Sequence, residues 1–340
     1  MARPIRIQYP DAVYHVMSRG NHGQKIFADD QDRKTWLETL EEACGKTGWR
    51  IHAYVLMANH YHLLLQTPEP NLVDGMKWLQ GAYTQRYNGR HKLRGHLFQG
   101  RYKAVPVEAA GNGTYFGVVS TYIHLNPARA GLIRVGEQRL KRYRWSSYPW
   151  YLNRAGRRPK WLEVSRVMET LGLRAGEARG YEAYLEGRVL ELGSKAGRKE
   201  LDGEWKELRR GWYVGGESFL EKLEERLGGA MAGRRRESFS GEAKARHDEA
   251  GAQAELKRAM GLLGVDEAGL GKLGNGAMEK VALAWWLRRR TTVPLRWVSE
   301  RLQMGHYSRA SQAVSRAQRK PGRKLKKLLR KLTQGLGEKN

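Results

Sequence analysis

The sequence predicts an α+β protein: a ferredoxin-like N-terminal sandwich of element order βαββαβ with one further helix, then an all-α C-terminal region ending in a helix-turn-helix. Three observations predict it. Strand-like runs alternate with amphipathic helical stretches over the first 130 or so residues, short helical patterns broken by glycines come next, and the positive charge is gathered at the two ends of the chain.

The elements run in order. Ala12 to Ser18 reads as a strand. Phe27 leads into Asp29, Asp30 and Asp32, acids suited to a helix start, and Trp36, Leu37, Leu40, Ala43 and Cys44 then recur at helical spacing until Gly45 and Gly48. Arg50 to Gln66 holds two β-rich runs around Ala58-Asn59, a predicted hairpin. Asn71 is placed to cap a second helix, with Leu72, Met76, Leu79, Tyr83 and Tyr87 along one face. A Gly/Arg-rich loop precedes Tyr102 to Val107, a strand that Pro106 assigns to a sheet edge. Thr114 opens a third helix, which Pro127 is expected to end. The expectation is an antiparallel sheet with helices on one face.

After the basic junction Tyr151 to Lys160, Glu217 to Leu227 is a clear helix, and Gly228 to Gly241, with Arg234, Arg235 and Arg236, reads as a mobile linker. Glu279 to Arg290 is helical, with Val281, Ala284, Trp285 and Leu287 as apolar positions. Pro294 starts a short helix with Leu295, Val298 and Leu302 inward. Gly305 turns the chain, and Ser308 is placed to cap a basic helix to about Arg319. That is the helix-turn-helix pattern, and Arg309, Ser311, Gln312 and Arg316 are its expected exposed side chains. The expected domains are residues 1–150, a helical connector 151–270, a DNA-binding domain 271–322 and a basic tail 323–340.

Charge narrows the partners. Among 340 residues, 62 Lys and Arg face 35 Asp and Glu, a net of +27 with a pI near 10.3. Residues 1–150 hold 21 basic and 11 acidic residues, and residues 281–340 hold 16 and 2. Two basic regions therefore flank a nearly neutral middle, which points to nucleic acid ahead of an anionic membrane surface. One cysteine, Cys44, excludes an intramolecular disulfide framework and a Cys-rich zinc cluster. The opening MARPIRIQYP lacks an apolar core, and the longest clean apolar run, Val281 to Leu287, is far short of a membrane span. A cytoplasmic, nucleoid-associated protein with no membrane partner is expected.

Chemistry concentrates in two places. In His60-Tyr61-His62 at a strand start, alternation puts both imidazoles on one face and Tyr61 on the other, so the histidines can supply two metal ligands. Strand patterning also produces such pairs without function. In the third helix, Tyr115, Tyr122 and Asn126 share one stripe, while Phe116, Val119 and Ile123 form an apolar stripe for the sheet. A phenol is a poor nucleophile until a metal or base activates it, and Tyr115 and Tyr122 are both candidates. The loop Gly89 to Lys103 offers Arg94, His96, Gln99, Arg101 and Lys103 as DNA contacts, with Phe98 and Tyr102 as expected stacking faces for unpaired bases.

Five motifs occur in order: Tyr14-His15-Val16 with Arg19-Gly20-Asn21; Met57-Ala58-Asn59-His60-Tyr61-His62-Leu63-Leu64; Gly95 through Tyr102; Tyr122-Ile123-His124-Leu125-Asn126-Pro127 with Arg129-Ala130-Gly131; and Trp145-Ser146-Ser147-Tyr148. Together they resemble the REP-associated tyrosine transposases, single-tyrosine HUH transposases of the insertion-sequence type, over about the first 150 residues. The resemblance implies that His60, His62 and Asn126 bind Mg²⁺ or Mn²⁺. It implies that Tyr122 is the nucleophile, cutting single-stranded DNA near hairpin-forming palindromic repeats through a 5′-phosphotyrosine link. Related proteins act as monomers or homodimers. The C-terminal stretch is similar to the DNA-binding region of DnaA-type replication initiators, which implies duplex DNA contacts by Arg309, Gln312 and Arg316. Two other readings share the expected fold: a non-catalytic DNA-binding regulator, and an RNA binder on an RRM-like sheet.

Overall fold

The computed structural model describes residues 3–4, 6–109, 114–206, 208, 211–231, 239–240, 242–291, 293–319 and 321–336. It divides into two compact units, Arg6–Arg226 and Met1–Ile5 with Leu227–Asn340. Arg234, Arg235 and Arg236 lie outside the described residues.

The first unit is built on four antiparallel strands, β1 (Ala12–Arg19), β2 (Arg50–Leu56), β3 (His60–Thr67) and β4 (Lys103–Val107), in the order β2-β3-β1-β4. The β2-β3 hairpin turns at Ala58-Asn59 as expected. β4 is an edge strand, which accommodates Pro106 because no ladder donor is needed there. The outer side of β4 is covered by chain: Val214 donates its N–H to Pro106 O and accepts from Glu108 N. The outer side of β2 is met by Trp145, Ser147 and Trp161, so neither edge is left open for pairing with another chain.

Helix α1 (Asp30–Thr47) is N-capped by Asp29, whose carboxylate accepts from Asp32 N, and stops at Gly48 in the left-handed region. In α2 (Leu72–His91) the five expected apolar positions are all buried. Asn71 precedes it without capping it, because its side chain is occupied by Trp49 Nε1 and Thr47 O. Gly75 is required where α2 crosses Trp49, since a Cβ there would sit 2.1 Å from the indole.

Helix α3 (Thr114–Arg129) departs from expectation twice. It continues through Pro127, which lies within its last turn. It also packs on the opposite sheet face from α1 and α2. Tyr61 meets Trp36 of α1 with centroids 4.9 Å apart, whereas its neighbour His62 faces Tyr122 of α3. Phe116, Val119 and Ile123 are fully buried as their stripe required. The sheet is thus covered on both faces, not one.

The expected boundary at residue 150 falls inside this unit. His124 of α3 has Nδ1 2.7 Å from the Tyr181 hydroxyl and Nε2 2.6 Å from Ser147 Oγ. Tyr181 belongs to Ala178–Glu191 and stacks on Tyr151 at 4.6 Å. One hydrophobic core runs on through Leu201, Trp205 and Val214. The buried aromatics of the supposed connector need α3 as their second layer.

The second unit is helical apart from the short pairing of Arg3–Pro4 with Phe239–Ser240. Its main helices are Glu242–Leu263, Met278–Arg290, Leu295–Arg301, Tyr307–Arg319 and Arg323–Leu336. Gln303 and Gly305 take positive φ in the turn before Tyr307–Arg319, and buried Lys280 donates to Gln303 O at 3.0 Å. Trp286, not Trp285, is the fully buried indole, because Glu255 of Glu242–Leu263 accepts its N–H at 2.9 Å. The helix Tyr307–Arg319 starts before Ser308, whose N–H donates to His306 Nδ1. The basic tail is no loose end, since Leu325, Leu329 and Leu332 of Arg323–Leu336 belong to the unit's core. No described helix is long and apolar enough to cross a membrane.

Candidate active site

In the β1-β3 ladder Arg19 stands opposite His60, Met17 opposite His62 and His15 opposite Leu64. Residues directly opposite share a face, so His15, His60 and His62 all point toward α3. The His60 and His62 rings are 5.2 Å apart, edge to face. Tyr122, on the sheet-facing side of α3, lies 5.6 Å from the His62 ring and 5.6 Å from the His15 ring. Sequence periodicity predicted the His60-His62 pair and the tyrosine stripe, and tertiary packing brings the two together.

Each imidazole is held by one nitrogen. Asn59 donates its amide N–H to Gly23 O at 3.1 Å, which turns its Oδ1 toward His60 Nδ1 at 2.8 Å. His60 Nδ1 therefore carries the proton and Nε2 keeps its lone pair. His62 Nδ1 lies 2.9 Å from His15 Nε2, with the two rings stacked at 5.1 Å and 24°. Burial pushes the pKa of His15 down to about 3. Burial, aided by Arg19, pushes His60 down to about 4. Burial, then His15, His60 and Arg129, hold His62 well below the usual histidine range. These are neutral rings at neutral pH, the form in which histidine binds a metal.

Asn126 sits one turn beyond Tyr122 and donates Nδ2 to the Tyr122 carbonyl at 2.9 Å, and its Oδ1 has no hydrogen bond among the described residues. Two unprotonated imidazole nitrogens and an amide oxygen suit a divalent cation, so the residues present fit one. Among the described residues no three His, Cys, Asp or Glu are placed to hold a metal ion together, so such a site carries no carboxylate beside His60 and His62. Tyr115, the rival nucleophile, is half-buried, and no histidine ring stands against it among the described contacts.

Three neighbours had no assigned role in the sequence. Trp205 meets Tyr122 edge-on at 5.4 Å. The Arg129 guanidinium lies 4.8 Å from the Tyr122 ring centre and 5.0 Å from that of Trp205, and pairs with Asp202 at 3.9 Å. His15 stood in the first of the five motifs, and its place in an apolar strand was the only local signal. No local signal could have found Trp205, which reaches Tyr122 across 83 residues.

The basic loop is split between its two chemistries. Arg94, His96, Gln99, Arg101 and Lys103 are exposed. Phe98 and Tyr102 are buried, against the expectation that they stack on bases. Phe98 packs on Tyr61 and Tyr83, and Tyr102 lies under the Arg6 guanidinium, because the start of the edge strand closes the core there. In the second unit Arg309, Gln312 and Arg316 are exposed on one helix, with Ala310, Ala313 and Ala317 inward.

Residues 8–126 match the family of IS200-like transposases. The matched segment contains His15, His60, His62, Tyr122 and Asn126, and ends short of Arg129 and Trp205. The chain is also similar to a solved structure, that of a REP-associated tyrosine transposase bound to a REP hairpin. The identity is 13%, covering 48% of this chain and 92% of that one, with a TM-score of 0.38. No curated protein matches the sequence.

Proposed function

We propose that this chain is a metal-dependent endonuclease and transesterase for single-stranded DNA, acting beside hairpin-forming repeats, on a ferredoxin-like HUH domain with Tyr122 as nucleophile. The observation that carries the reading is the placement of Tyr122 against His62 within the IS200-like segment. In the reaction the Tyr122 oxygen bonds to phosphorus, and the bond from phosphorus to the 3′ oxygen breaks. The phenol gives up a proton, and the departing 3′ oxygen takes one up. The 5′-phosphotyrosine link keeps the energy of the phosphodiester, so a 3′-hydroxyl can reverse the step onto another 5′ end without a nucleotide cofactor. Mg²⁺ or Mn²⁺ held by His60, His62 and Asn126 would polarise the scissile phosphate. Arg129 brings a positive charge to the tyrosine ring where the phosphate has to arrive. Tyr122 is 6% exposed, with Trp205 edge-on to its ring and the Arg129 guanidinium over it.

The exposed cations of the 94–103 loop serve as phosphate contacts. The Leu295–Arg301 and Tyr307–Arg319 pair forms a helix-turn-helix that takes duplex DNA through Arg309, Gln312 and Arg316, tethering the enzyme near its target and raising effective concentration. Incubating a pool of single-stranded DNA hairpins with the protein and Mn²⁺ or Mg²⁺, then sequencing the protein-linked strands, tests this. A 5′-linked adduct on Tyr122 is expected. No adduct with either metal would leave the regulator reading standing, and preference for matched RNA would favour the RNA-binding one.

A further inference from the structure

We propose that His15 is a positioning residue that fixes the ring of His62 and shares the proton on which its ability to bind a metal depends. The proposal rests on the metal-site reading above and adds a residue that reading does not use.

A proton inventory carries it. His60 is fixed by Asn59, whose own orientation is set by Gly23 O, so its Nε2 is free to ligate. His62 has no such outside reference. Among the described residues its Nδ1 meets only His15 Nε2, and one proton lies between the two nitrogens. With the proton on His62 Nδ1, the His62 Nε2 lone pair is open to a cation. With the proton on His15 Nε2, neutral His62 carries its own proton on Nε2 and cannot bind one. His15 therefore decides whether the pair of imidazoles is a pair of ligands. The near-parallel stacking also fixes the plane in which the His62 lone pair lies.

His15 is hard to explain as core filling. It is fully buried in a strand between Tyr14 and Val16, and its Nδ1 has no hydrogen-bond partner among the described residues. An apolar side chain of similar size would bury as well with no unpaired nitrogen of its own, although it would remove the partner of His62 Nδ1. A group kept in the core at that cost, 2.9 Å from a ligand's second nitrogen, has the geometry of the partners that orient metal-binding histidines.

The test measures Mn²⁺ binding to the full-length protein by electron paramagnetic resonance of the free ion, alongside thermal melting. His15→Leu keeps volume and removes the acceptor. His15→Gln keeps an oxygen near the Nε2 position. His62→Ala is the control for the site itself. His15→Leu should weaken Mn²⁺ binding by about 10- to 100-fold without lowering the melting temperature, and His15→Gln should restore it to within a few-fold of wild type. Wild-type Mn²⁺ affinity in His15→Leu overturns the proposal alone. If the wild type binds no Mn²⁺, or His62→Ala binds as well as the wild type, the metal site falls and takes the proposal with it. If His15→Leu does not fold, His15→Gln decides: near wild-type binding supports the role of an acceptor, and a loss as large as that of His62→Ala overturns it.

Discussion

The two units of the chain use burial in opposite ways. The first buries polar chemistry: His15, His52, His62 and His124 sit in its core among Trp36, Tyr54, Tyr61, Tyr148 and Tyr181. The second buries mostly alanine and leucine and, Lys280 apart, turns the cations of its helices outward. Arg323–Leu336 sends Leu325, Leu329 and Leu332 inward while Lys324, Lys326, Lys327, Arg330 and Lys331 stay exposed. A reacting group needs a fixed orientation and controlled protonation, which a packed interior supplies. A phosphate backbone needs only matching charge at a surface. Positive charge is accordingly denser in the second unit than in the first.

Four measurements can break or sharpen that contrast. The largest effect is expected from Tyr122→Phe, which should reduce covalent adduct on a hairpin substrate by about 10³-fold or more while hairpin affinity is kept. If Tyr115→Phe abolishes the adduct instead, the nucleophile has been misassigned. Next, Leu325→Ala should destabilise the second unit by about 2–5 kcal/mol through the cavity it leaves. Calorimetry should show that unit's transition falling, with adduct formation by the first unit unchanged.

The third is acid sensitivity. His15 and His124 have pKa values pushed down to about 3, and His52 and His60 to about 4, burial being the main cause in each. In the unfolded chain they titrate near 6.5. Between those limits the unfolded state binds more protons, so the first unit should lose stability as pH falls from about 6.5 toward 4 and be insensitive to histidine titration above about 7. The second unit buries no histidine among its described residues, so its histidine-linked loss in a pH series of melts should be much smaller. Equal histidine-linked losses would remove the contrast. Smallest, Arg309→Ala with Arg316→Ala should weaken duplex binding by about tenfold and lower the slope of log affinity against log salt by about 2, with single-strand adduct unaffected. An unchanged slope would move the duplex contact elsewhere, with the exposed cations of Arg323–Leu336 the first place to look.

Much of the first unit was legible in local pattern. Period two put His60 and His62 on one face, period 3.6 put Phe116, Val119 and Ile123 on another, and Pro106 located an edge strand, because each signal lies within one element. The stop expected at Pro127 came later, since the helix carries on to Arg129. The inward turn of Phe98 and Tyr102 was missed because composition shows that aromatics are present and not which way they face.

The sequence by itself determined the order of the elements, the paired histidines, the tyrosine stripe and the concentration of charge at the two ends. Tertiary structure alone decided that α3 covers the second sheet face, that residues 151–226 complete the first core, that Trp205 and Arg129 close over Tyr122, and that His15 meets His62. These facts depend on strand register and on contacts between residues tens of positions apart. Local periodicity fixes which face a side chain takes, and only the packed fold fixes what that face meets.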